Sequence, residues 1–299
     1  MIVNARENLM APTHSFALPV HQPFDWESLL GFLRLRATPG VETVTASAYS
    51  RTVDEGGTAQ TLSVTYDPAR ASLLISYSGE VHKRGAAESR AKQMFKADVS
   101  TGPIEEFLSC DGWLGGVVAR QPGLRVPGGW SAFEIAVRAI LGQQVSVAAA
   151  TTLMGRLVRA AGTRISETDW LFPSPQQVLE SQLSGLGVPG SRLETVKLLA
   201  RFFVEYDADG LAHADTRARL LAIKGVGKWT AGYILMRTGN SHDHWPEGDL
   251  VLRKALSREQ TMITPAALEQ AFSKWSPYRS YATIHIWRGY VPMAAGSRS

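Results

Sequence analysis

Two glycines and one aspartate offer the clearest chemistry in this sequence. Gly225 and Gly227 flank a single residue, Val226, between two stretches with helical spacing, and Asp249 follows at the start of a third such stretch. A glycine turn that leads into a helix N-terminus can bind a phosphate through its backbone N–H groups. A carboxylate held beside that phosphate can act on the sugar attached to it. The arrangement therefore points to chemistry on DNA.

Both features also have plainer interpretations, which the residues alone leave open. The turn between Gly225 and Gly227 is compatible with an ordinary helix C-cap that binds no ligand. An aspartate at the position of Asp249 commonly caps the helix that follows it. Capping and catalysis are compatible roles for one carboxylate, and Glu247 is the nearest rival carboxylate in the sequence.

Composition excludes several classes of protein and leaves others open. The chain has 299 residues, enough for two or three domains, and is 44% hydrophobic, which predicts a globular protein with a substantial core. The formal net charge of +4 permits a nucleic-acid partner but also fits an ordinary enzyme. The single cysteine, Cys110, excludes an internal disulfide and a four-cysteine iron–sulfur cluster, and it favours a reducing, cytoplasmic location. No apolar run approaches the ~20 residues of a membrane span.

The elements that must position these residues begin with a small N-terminal domain. We expect residues 1–14 to form a flexible tail and residues 15–100 to form an α+β domain. Asp25 precedes apolar residues at helical spacing, which predicts a capped helix. Apolar residues alternate at 62–66 and at 73–77, which predicts a hairpin with one buried face. The domain should therefore contain a small antiparallel sheet.

The rest of the sequence favours helices alone. Ser131 and Glu134 have the Ser-x-x-Glu spacing of a capping box, so a helix should begin there. Gln143 and Gln144 interrupt the apolar pattern and are expected to join that helix to the next. The predicted fold class is α+β, with an N-terminal antiparallel sheet domain followed by an all-α part.

Four further stretches carry a recognisable pattern. They are Asp25-Trp26 with Leu30-Gly31-Phe32-Leu33 and Val41-Glu42-Thr43-Val44; Pro122-Gly123-Leu124-Arg125 with Ala132-Phe133-Glu134; Arg138-Ala139-Ile140-Leu141-Gly142-Gln143 with Val145-Ser146-Val147; and Arg279-Ser280-Tyr281-Ala282 with His285-Ile286-Trp287. Together with the glycine turn and Asp249, they resemble the helix-hairpin-helix superfamily of base-excision DNA glycosylases, and within it the DNA-3-methyladenine glycosylase II family. The likeness covers almost the whole chain.

The resemblance implies an architecture and a partner. The all-α part would be a helix-hairpin-helix glycosylase core of two subdomains, one formed by residues 124–240 and the other by 101–123 together with 241–299. The DNA would lie in the cleft between them. The implied partner is double-stranded DNA that contains alkylated bases, bound by a monomer with no association with membranes.

The resemblance also assigns the contacts with the DNA backbone. In the family, backbone N–H groups of the hairpin bind the phosphate 3′ to the lesion. The positions that match are Gly225, Val226, Gly227, Lys228 and Thr230. A structural sodium or potassium ion is implied on the carbonyls of Leu221, Ile223 and Val226. No cofactor is expected for the reaction itself.

The catalytic assignment depends on two positions. By resemblance Asp249, twenty residues after Trp229, is the catalytic carboxylate. Relatives that also cut the strand carry a lysine nucleophile where this chain has Trp229. Lys228 is one residue away and so faces about 100° from that position on a helix. The resemblance therefore implies a monofunctional enzyme, which releases the base and leaves an abasic site.

Aromatic and amide side chains complete the implied site. Trp229, Tyr233, Trp287 and Gln143 match positions of the base pocket, where aromatic rings would attract a cationic methylpurine by ~0.5–2 kcal/mol. Gln144 stands where the family commonly has a leucine that fills the gap left by the flipped nucleotide. Core packing of the rings and a polar surface turn at the two glutamines remain alternatives.

Three other classes of function stay open at this point. A DNA-binding module without catalysis would share the hairpin but would not need Asp249 or the aromatic residues. A bifunctional glycosylase-lyase would need a lysine in place of Trp229. A metabolic enzyme with no nucleic-acid substrate fits the composition but leaves the spacing of hairpin and aspartate unexplained.

Overall fold

The computed structural model describes residues 14–79, 84–206, 211, 213–239, 241–257 and 261–290. The strands are β1 (His14–Pro19), β2 (Glu42–Val44), β3 (Ala48–Glu55), β4 (Thr58–Asp67), β5 (Ser72–Tyr77), β6 (Thr163–Arg164) and β7 (Trp170–Leu171). The helices are α1 (Trp26–Arg34), α2 (Arg84–Phe95), α3 (Gly102–Ser109), α4 (Leu114–Val118), α5 (Ala132–Leu141), α6 (Val147–Ala161), α7 (Pro175–Glu180), α8 (Gly190–Glu205), α9 (Thr216–Ala222), α10 (Lys228–Thr238), α11 (Leu250–Leu256), α12 (Pro265–Ser273) and α13 (Arg279–Gly289). The tail expected for residues 1–14 lies outside the described residues, except for His14, which begins β1.

Strands β1 to β5 form one antiparallel sheet in the order β1-β5-β4-β3-β2. The predicted hairpin is confirmed, because β4 pairs with β5 and places Val64 opposite Ile75. Both side chains are buried, together with Phe16 and Leu18 of β1. The sequence analysis did not predict β1, although Phe16 and Leu18 show the alternation of a half-buried strand.

Helix α1 covers one face of this sheet and forms part of its core. Asp25 caps the helix, since its carboxylate accepts a hydrogen bond of 2.9 Å from the Ser28 N–H, as predicted. Leu29, Leu30 and Leu33 recur at helical spacing and are buried with the sheet residues. The opposite face of the helix is thereby turned towards the helical part of the chain.

The helical part has a core of its own, with α5 at its centre. Most side chains of α5 are buried, and the helix packs against α6, α8 and α10. Apolar side chains from α3 to α13 contribute to this core. The fold class predicted from the sequence is confirmed: an antiparallel sheet domain with helices precedes a helical region. The subdomain boundaries stay a prediction.

The capping box predicted at the start of α5 is only half formed. Ser131 caps the helix by accepting a 3.1 Å bond from the Glu134 N–H. The Glu134 carboxylate, however, turns away and binds Arg51 of β3 with contacts of 2.7 and 3.1 Å. Arg51 is buried, so its charge needs a partner more than the exposed end of the helix does. This ion pair joins the sheet to the helical region.

The described helices include none that is both long and apolar enough to cross a membrane.

Candidate active site

Asp249 stands at the N-terminus of α11 and lies against a cavity. Its Oδ1 accepts hydrogen bonds from the N–H groups of Val251 (2.9 Å) and Leu252 (3.0 Å), which is the capping role expected from the sequence. The loop that precedes α11 packs closely against α10 at Gly232, where a Cβ would meet the carbonyl oxygen of Trp245 at 2.0 Å. Asp249 is buried in the protein, with 8% of its surface exposed.

Two tryptophans complete the support of the Asp249 carboxylate. Trp229 Nε1 donates to Oδ2 at 2.8 Å, and Trp287 Nε1 donates to Oδ1 at 3.1 Å. With the two backbone N–H groups, four donors fix the position and rotation of one side chain. The donors come from α10, α11 and α13, so three helices converge on the carboxylate. Sequence reasoning placed these rings beside the aspartate but did not find their bonds to it.

The cavity beside Asp249 has a volume of about 710 Å³. Its lining includes Trp229, Tyr233 and Trp287, as the sequence suggested. The rings of Trp229 and Tyr233 are stacked with centroids 5.2 Å apart, and that of Trp287 lies 6.3 Å from that of Tyr233. Such a volume holds a small organic ligand, and the rings give it flat, apolar walls.

One wall of the cavity comes from the N-terminal domain, which sequence reasoning missed. Phe32 of α1 and Arg36, just beyond its end, both line the cavity. Leu29 of the same helix also lines the cavity, and nothing in the spacing of these residues separates them from the core face of α1. The sheet domain therefore helps to build the site.

The glycine turn lies between α9 and α10. Gly225 has a φ of +89°, and a Cβ on it would lie 2.2 Å from the Thr195 hydroxyl oxygen, so only glycine fits. Gly227 is the N-cap residue just before α10 and supplies no side-chain cap, which leaves the first N–H groups of that helix free to bind an anion. Lys228 is exposed, and no lysine among the described residues lines the cavity.

The two glutamines between α5 and α6 behave differently from each other. Gln143 does not line the cavity; its side-chain amide donates to the carbonyl of Gly225 and to the hydroxyl of Thr230, both at 3.0 Å. It thus ties its loop to the glycine turn. Gln144 is exposed and has a φ of +59°, a strained backbone conformation for a residue other than glycine. Val145, next to it, is partly exposed at the cavity mouth.

The carbonyls suggested for a cation lie around the end of α9. The Ile223 carbonyl accepts one bond, of 3.0 Å, from the Val226 N–H. Within the described ranges, no backbone donor reaches the carbonyls of Leu221 or Val226. Free carbonyl oxygens of this kind fit a monovalent cation. The described residues contain no cluster of three or more His, Cys, Asp or Glu side chains suited to a metal ion.

Comparisons with known proteins place this geometry among DNA repair proteins. The family model described as the AlkA N-terminal domain matches residues 15–131, and that of the HhH-GPD superfamily base excision DNA repair protein matches residues 137–277. DNA-3-methyladenine glycosylase 2 of Escherichia coli is 34% identical, over 93% of this chain and 99% of the relative.

Other relatives differ in length or in sequence. A probable bifunctional transcriptional activator/DNA repair enzyme AlkA of Mycobacterium tuberculosis is 36% identical over 93% of this chain, which spans only 57% of that protein. The structure of a 3-methyladenine DNA-glycosylase from Archaeoglobus fulgidus has the same fold, with a TM-score of 0.80 and 19% identity over 91% of this chain and 97% of that one. An 8-oxoguanine glycosylase/lyase from Clostridium acetobutylicum, solved with double-stranded DNA, has a TM-score of 0.64 and 14% identity over 83% of this chain and 88% of that one.

Proposed function

The chain belongs to the HhH-GPD superfamily of base excision DNA repair proteins, in the family of DNA-3-methyladenine glycosylase 2, and on that premise we propose that it is a monofunctional DNA glycosylase that releases alkylated bases. The observation that carries the proposal is the setting of Asp249. Its carboxylate is held by two indoles and a helix N-terminus at the edge of a cavity walled by aromatic rings. The enzyme would act as a cytoplasmic monomer on duplex DNA.

The proposed reaction is hydrolysis of the N-glycosidic bond. A nucleotide turned out of the duplex would place its base among the rings of the cavity and its sugar beside Asp249. The base leaves with the electron pair of the glycosidic bond, and the C1′ carbon gains positive charge. The Asp249 carboxylate stabilises this charge in a site with little water. A water molecule then adds its oxygen to C1′, with Asp249 orienting it or accepting its proton.

Support for a monofunctional enzyme comes from the position of Trp229. A glycosylase-lyase uses an amine to attack C1′ and form a Schiff base. At this position the chain has an indole that donates to Asp249 and stacks on Tyr233. The neighbouring Lys228 is exposed, outside the cavity.

Methylated duplex DNA tests the proposal directly. Incubation with the protein should release free methylated bases, detected by chromatography, and strand breaks should appear only after alkali treatment. Breaks that form without alkali would indicate a lyase. Binding with no release of bases would indicate a DNA-binding module.

We also assign the contact with the DNA backbone to the glycine turn. The free N–H groups after Gly227 would bind a phosphate without reading the base sequence. A sodium or potassium ion on the carbonyls of Leu221, Ile223 and Val226 would add positive charge next to that phosphate. Lys228 is exposed in the first turn of α10 and would add its charge to the same surface, whereas Thr230 is buried and accepts a bond from Gln143, so its side chain would not reach the DNA.

Replacing Gly227 with alanine should weaken DNA binding without unfolding the protein. Its φ of −93° suits alanine, and a Cβ there would meet no atom within 4 Å, so the methyl group would project to where the phosphate must approach. We expect the Kd for a duplex with a stable abasic-site analogue to rise about tenfold, equivalent to roughly 1.4 kcal/mol. Fluorescence anisotropy measures the Kd, and thermal unfolding checks the fold.

Gly225→Ala is the contrasting variant. Its Cβ would overlap Thr195 and its φ is positive, so it should lower stability by about 1–2 kcal/mol or more. If Gly227→Ala bound DNA as tightly as the unaltered protein, the phosphate contact would lie elsewhere.

Gln144→Ala should reduce base release from duplex DNA more than from single-stranded DNA. We propose that the Gln144 side chain enters the minor groove and fills the gap left by the flipped nucleotide, with Val145 beside it. Its exposure and strained φ support this role. The expected loss on duplex is about tenfold, since holding a base out of the stack costs a few kcal/mol.

The matched control is Gln176→Ala, another exposed glutamine, which hydrogen-bonds to Glu180 on α7. Single-turnover rates of base release, measured on duplex and on single-stranded substrates, show whether the loss is larger on the duplex. If Gln144→Ala released bases from each substrate as fast as the unaltered enzyme does, the Gln144 side chain would not fill the gap left by the flipped nucleotide.

A further inference from the structure

Helix α1 of the sheet domain borders the cavity along most of its length. Ser28, in the first turn of the helix, and Leu35, its C-cap residue, both line the cavity. At 1.5 Å per residue, the two positions lie about 10 Å apart along the helix axis. The sheet domain therefore reaches two separate parts of the cavity mouth, and the side chains that it places or holds there differ in chemistry.

Leu35 lies beside other exposed apolar side chains at the cavity mouth. Its exposed fraction, 66%, is the largest of any large apolar side chain in the part of the chain that the structure describes. The Thr151 hydroxyl donates to the Leu35 carbonyl at 3.2 Å and so holds the end of α1 against α6. Val147, one turn before Thr151 on α6, and Val145 are also exposed and line the cavity. We name Leu35, Val145 and Val147 the apolar edge.

The position of the apolar edge indicates that a partner covers it. A single exposed leucine needs no explanation, but three exposed apolar side chains beside one cavity are typical of a binding surface. Gln144, which we place in the minor groove, directly precedes Val145. The apolar edge therefore continues the proposed DNA surface from the helical region onto the sheet domain.

The other end of α1 holds a charged side chain at the cavity mouth. Arg288 Nε donates to the Ser28 hydroxyl at 3.3 Å, and Arg288 is exposed and lines the cavity. It directly follows Trp287, whose indole donates to Asp249. Across the ranges that the structure describes, Arg288 forms no ion pair with a carboxylate. A guanidinium in this state can bind a phosphate through two parallel hydrogen bonds.

We infer that α1 of the sheet domain forms part of the DNA-binding surface. At one end, Leu35 packs against deoxyribose carbons next to the gap left by the flipped nucleotide. At the other end, Ser28 holds Arg288 against a backbone phosphate. The inference rests on the proposed function, because it concerns the DNA strand whose nucleotide enters the same cavity.

DNA suits both ends of α1 because one strand carries both kinds of group. Its phosphates match the free guanidinium of Arg288, and the carbon faces of its sugars match Leu35. Neither contact reads the bases, so the sheet domain would add affinity without adding sequence preference. The two contacts can be told apart experimentally, because only the contact with a phosphate releases counterions and so depends on salt.

The contact at Arg288 is tested with a pair of variants matched in size. Arg288→Gln removes the charge, and Arg288→Lys keeps it. Fluorescence anisotropy with a duplex that carries a stable abasic-site analogue, measured at several salt concentrations, gives the Kd and the slope of log Kd against log salt. We expect Arg288→Gln to lower this slope by about 1 and to raise the Kd about tenfold at ~0.1 M salt, because each phosphate contact contributes about 0.9 to the slope. Arg288→Lys should keep the slope of the unaltered protein.

Leu35→Ala tests the apolar contact with the same duplex. We expect its Kd to rise about fivefold with no change in the salt slope, because the variant loses buried apolar area but no charge. Val204→Ala is the apolar control, since Val204 is 48% exposed on α8 and does not line the cavity. Arg70→Gln, on an exposed turn of the sheet domain, is the control for lost charge.

The double variant Leu35→Ala with Arg288→Gln should bind about fiftyfold more weakly, because contacts about 10 Å apart with no shared partner add. Thermal unfolding checks the fold of each variant, and both replaced side chains are exposed. If Leu35→Ala and Arg288→Gln bound the duplex as tightly as Val204→Ala and Arg70→Gln, the inference would be wrong. An unchanged salt slope in Arg288→Gln would also contradict it.

Failure of the proposed function gives a different result. An unaltered protein that binds the duplex but releases no base from methylated DNA would not be a glycosylase. In that case, the expected changes in Kd and salt slope would still show that α1 contacts DNA.

Discussion

Asp249→Asn is expected to reduce base release at least ~1000-fold while DNA binding stays within about threefold. The substitution removes the negative charge that would face C1′ and keeps the size of the side chain. Asparagine still has one oxygen to cap α11, so the helix should form. With that oxygen on the cap, which also accepts from Trp287, the NH2 group would face the indole N–H of Trp229, a donor against a donor. The side chain therefore loses its charge and part of its fixed orientation.

Base release under single-turnover conditions measures the loss, and anisotropy with a lesion-containing duplex measures binding. The control is Glu247→Gln, which alters the nearest rival carboxylate. Glu247 is paired with Arg217 and does not line the cavity, so this variant should retain most of its activity. An active Asp249→Asn enzyme, or an inactive Glu247→Gln enzyme with its fold intact, would show that Asp249 is not the catalytic carboxylate.

Features set by neighbours in the sequence could be predicted. The alternation at 62–66 and 73–77 led to the correct hairpin, and Asp25 led to the correct helix start. The capping role of Asp249 follows from the helix that begins directly after it. In each case the interacting groups lie within a few residues of one another or share one turn, so local geometry leaves little choice.

Features that depend on distant partners could not be predicted. Trp287 is 38 residues from Asp249, and the spacing of residues in the sequence does not indicate that its Nε1 donates to that carboxylate rather than to water. Gln143 was expected in the base pocket, but its amide reaches Gly225 and Thr230, more than 80 residues away. Such groups meet only when the helices pack together, so the packing determines which acceptor each donor binds.

Glu134 shows the competition between local and distant contacts most directly. Its spacing from Ser131 fits a capping box, and the backbone half of that box forms. The carboxylate instead binds Arg51, 83 residues earlier, because the buried cation gains more from it than a helix end exposed to water does. A sequence pattern identifies the helix start here, but the energetics of burial decide where the charge goes.

Loss of the Arg51–Glu134 ion pair should therefore be the most destabilising single change outside the hydrophobic core. Burial disfavours the charged form of Arg51, but the combined attraction of Glu134, Tyr49 and Glu42 outweighs burial and raises the pKa. An arginine is not deprotonated in proteins, so Glu134→Gln leaves a buried cation without its carboxylate partner. An unpaired buried cation of this kind costs about 3 kcal/mol or more. Urea unfolding, followed by tryptophan fluorescence, measures the change in the free energy of unfolding.

The double variant Arg51→Met with Glu134→Leu separates charge from packing. It removes both charges and keeps apolar bulk between Trp130 and the sheet, so it should recover most of the stability that Glu134→Gln loses. Glu194→Gln is the control: it removes the carboxylate from an exposed pair with Lys224, and pairs of that kind contribute only about 0–1 kcal/mol. If Glu134→Gln lowered the free energy of unfolding as little as Glu194→Gln does, the stability of the fold would not depend on pairing Arg51 with Glu134.

Because α1 of the sheet domain forms one wall of the cavity, the ion pair that holds the sheet against α5 also maintains the shape of the site.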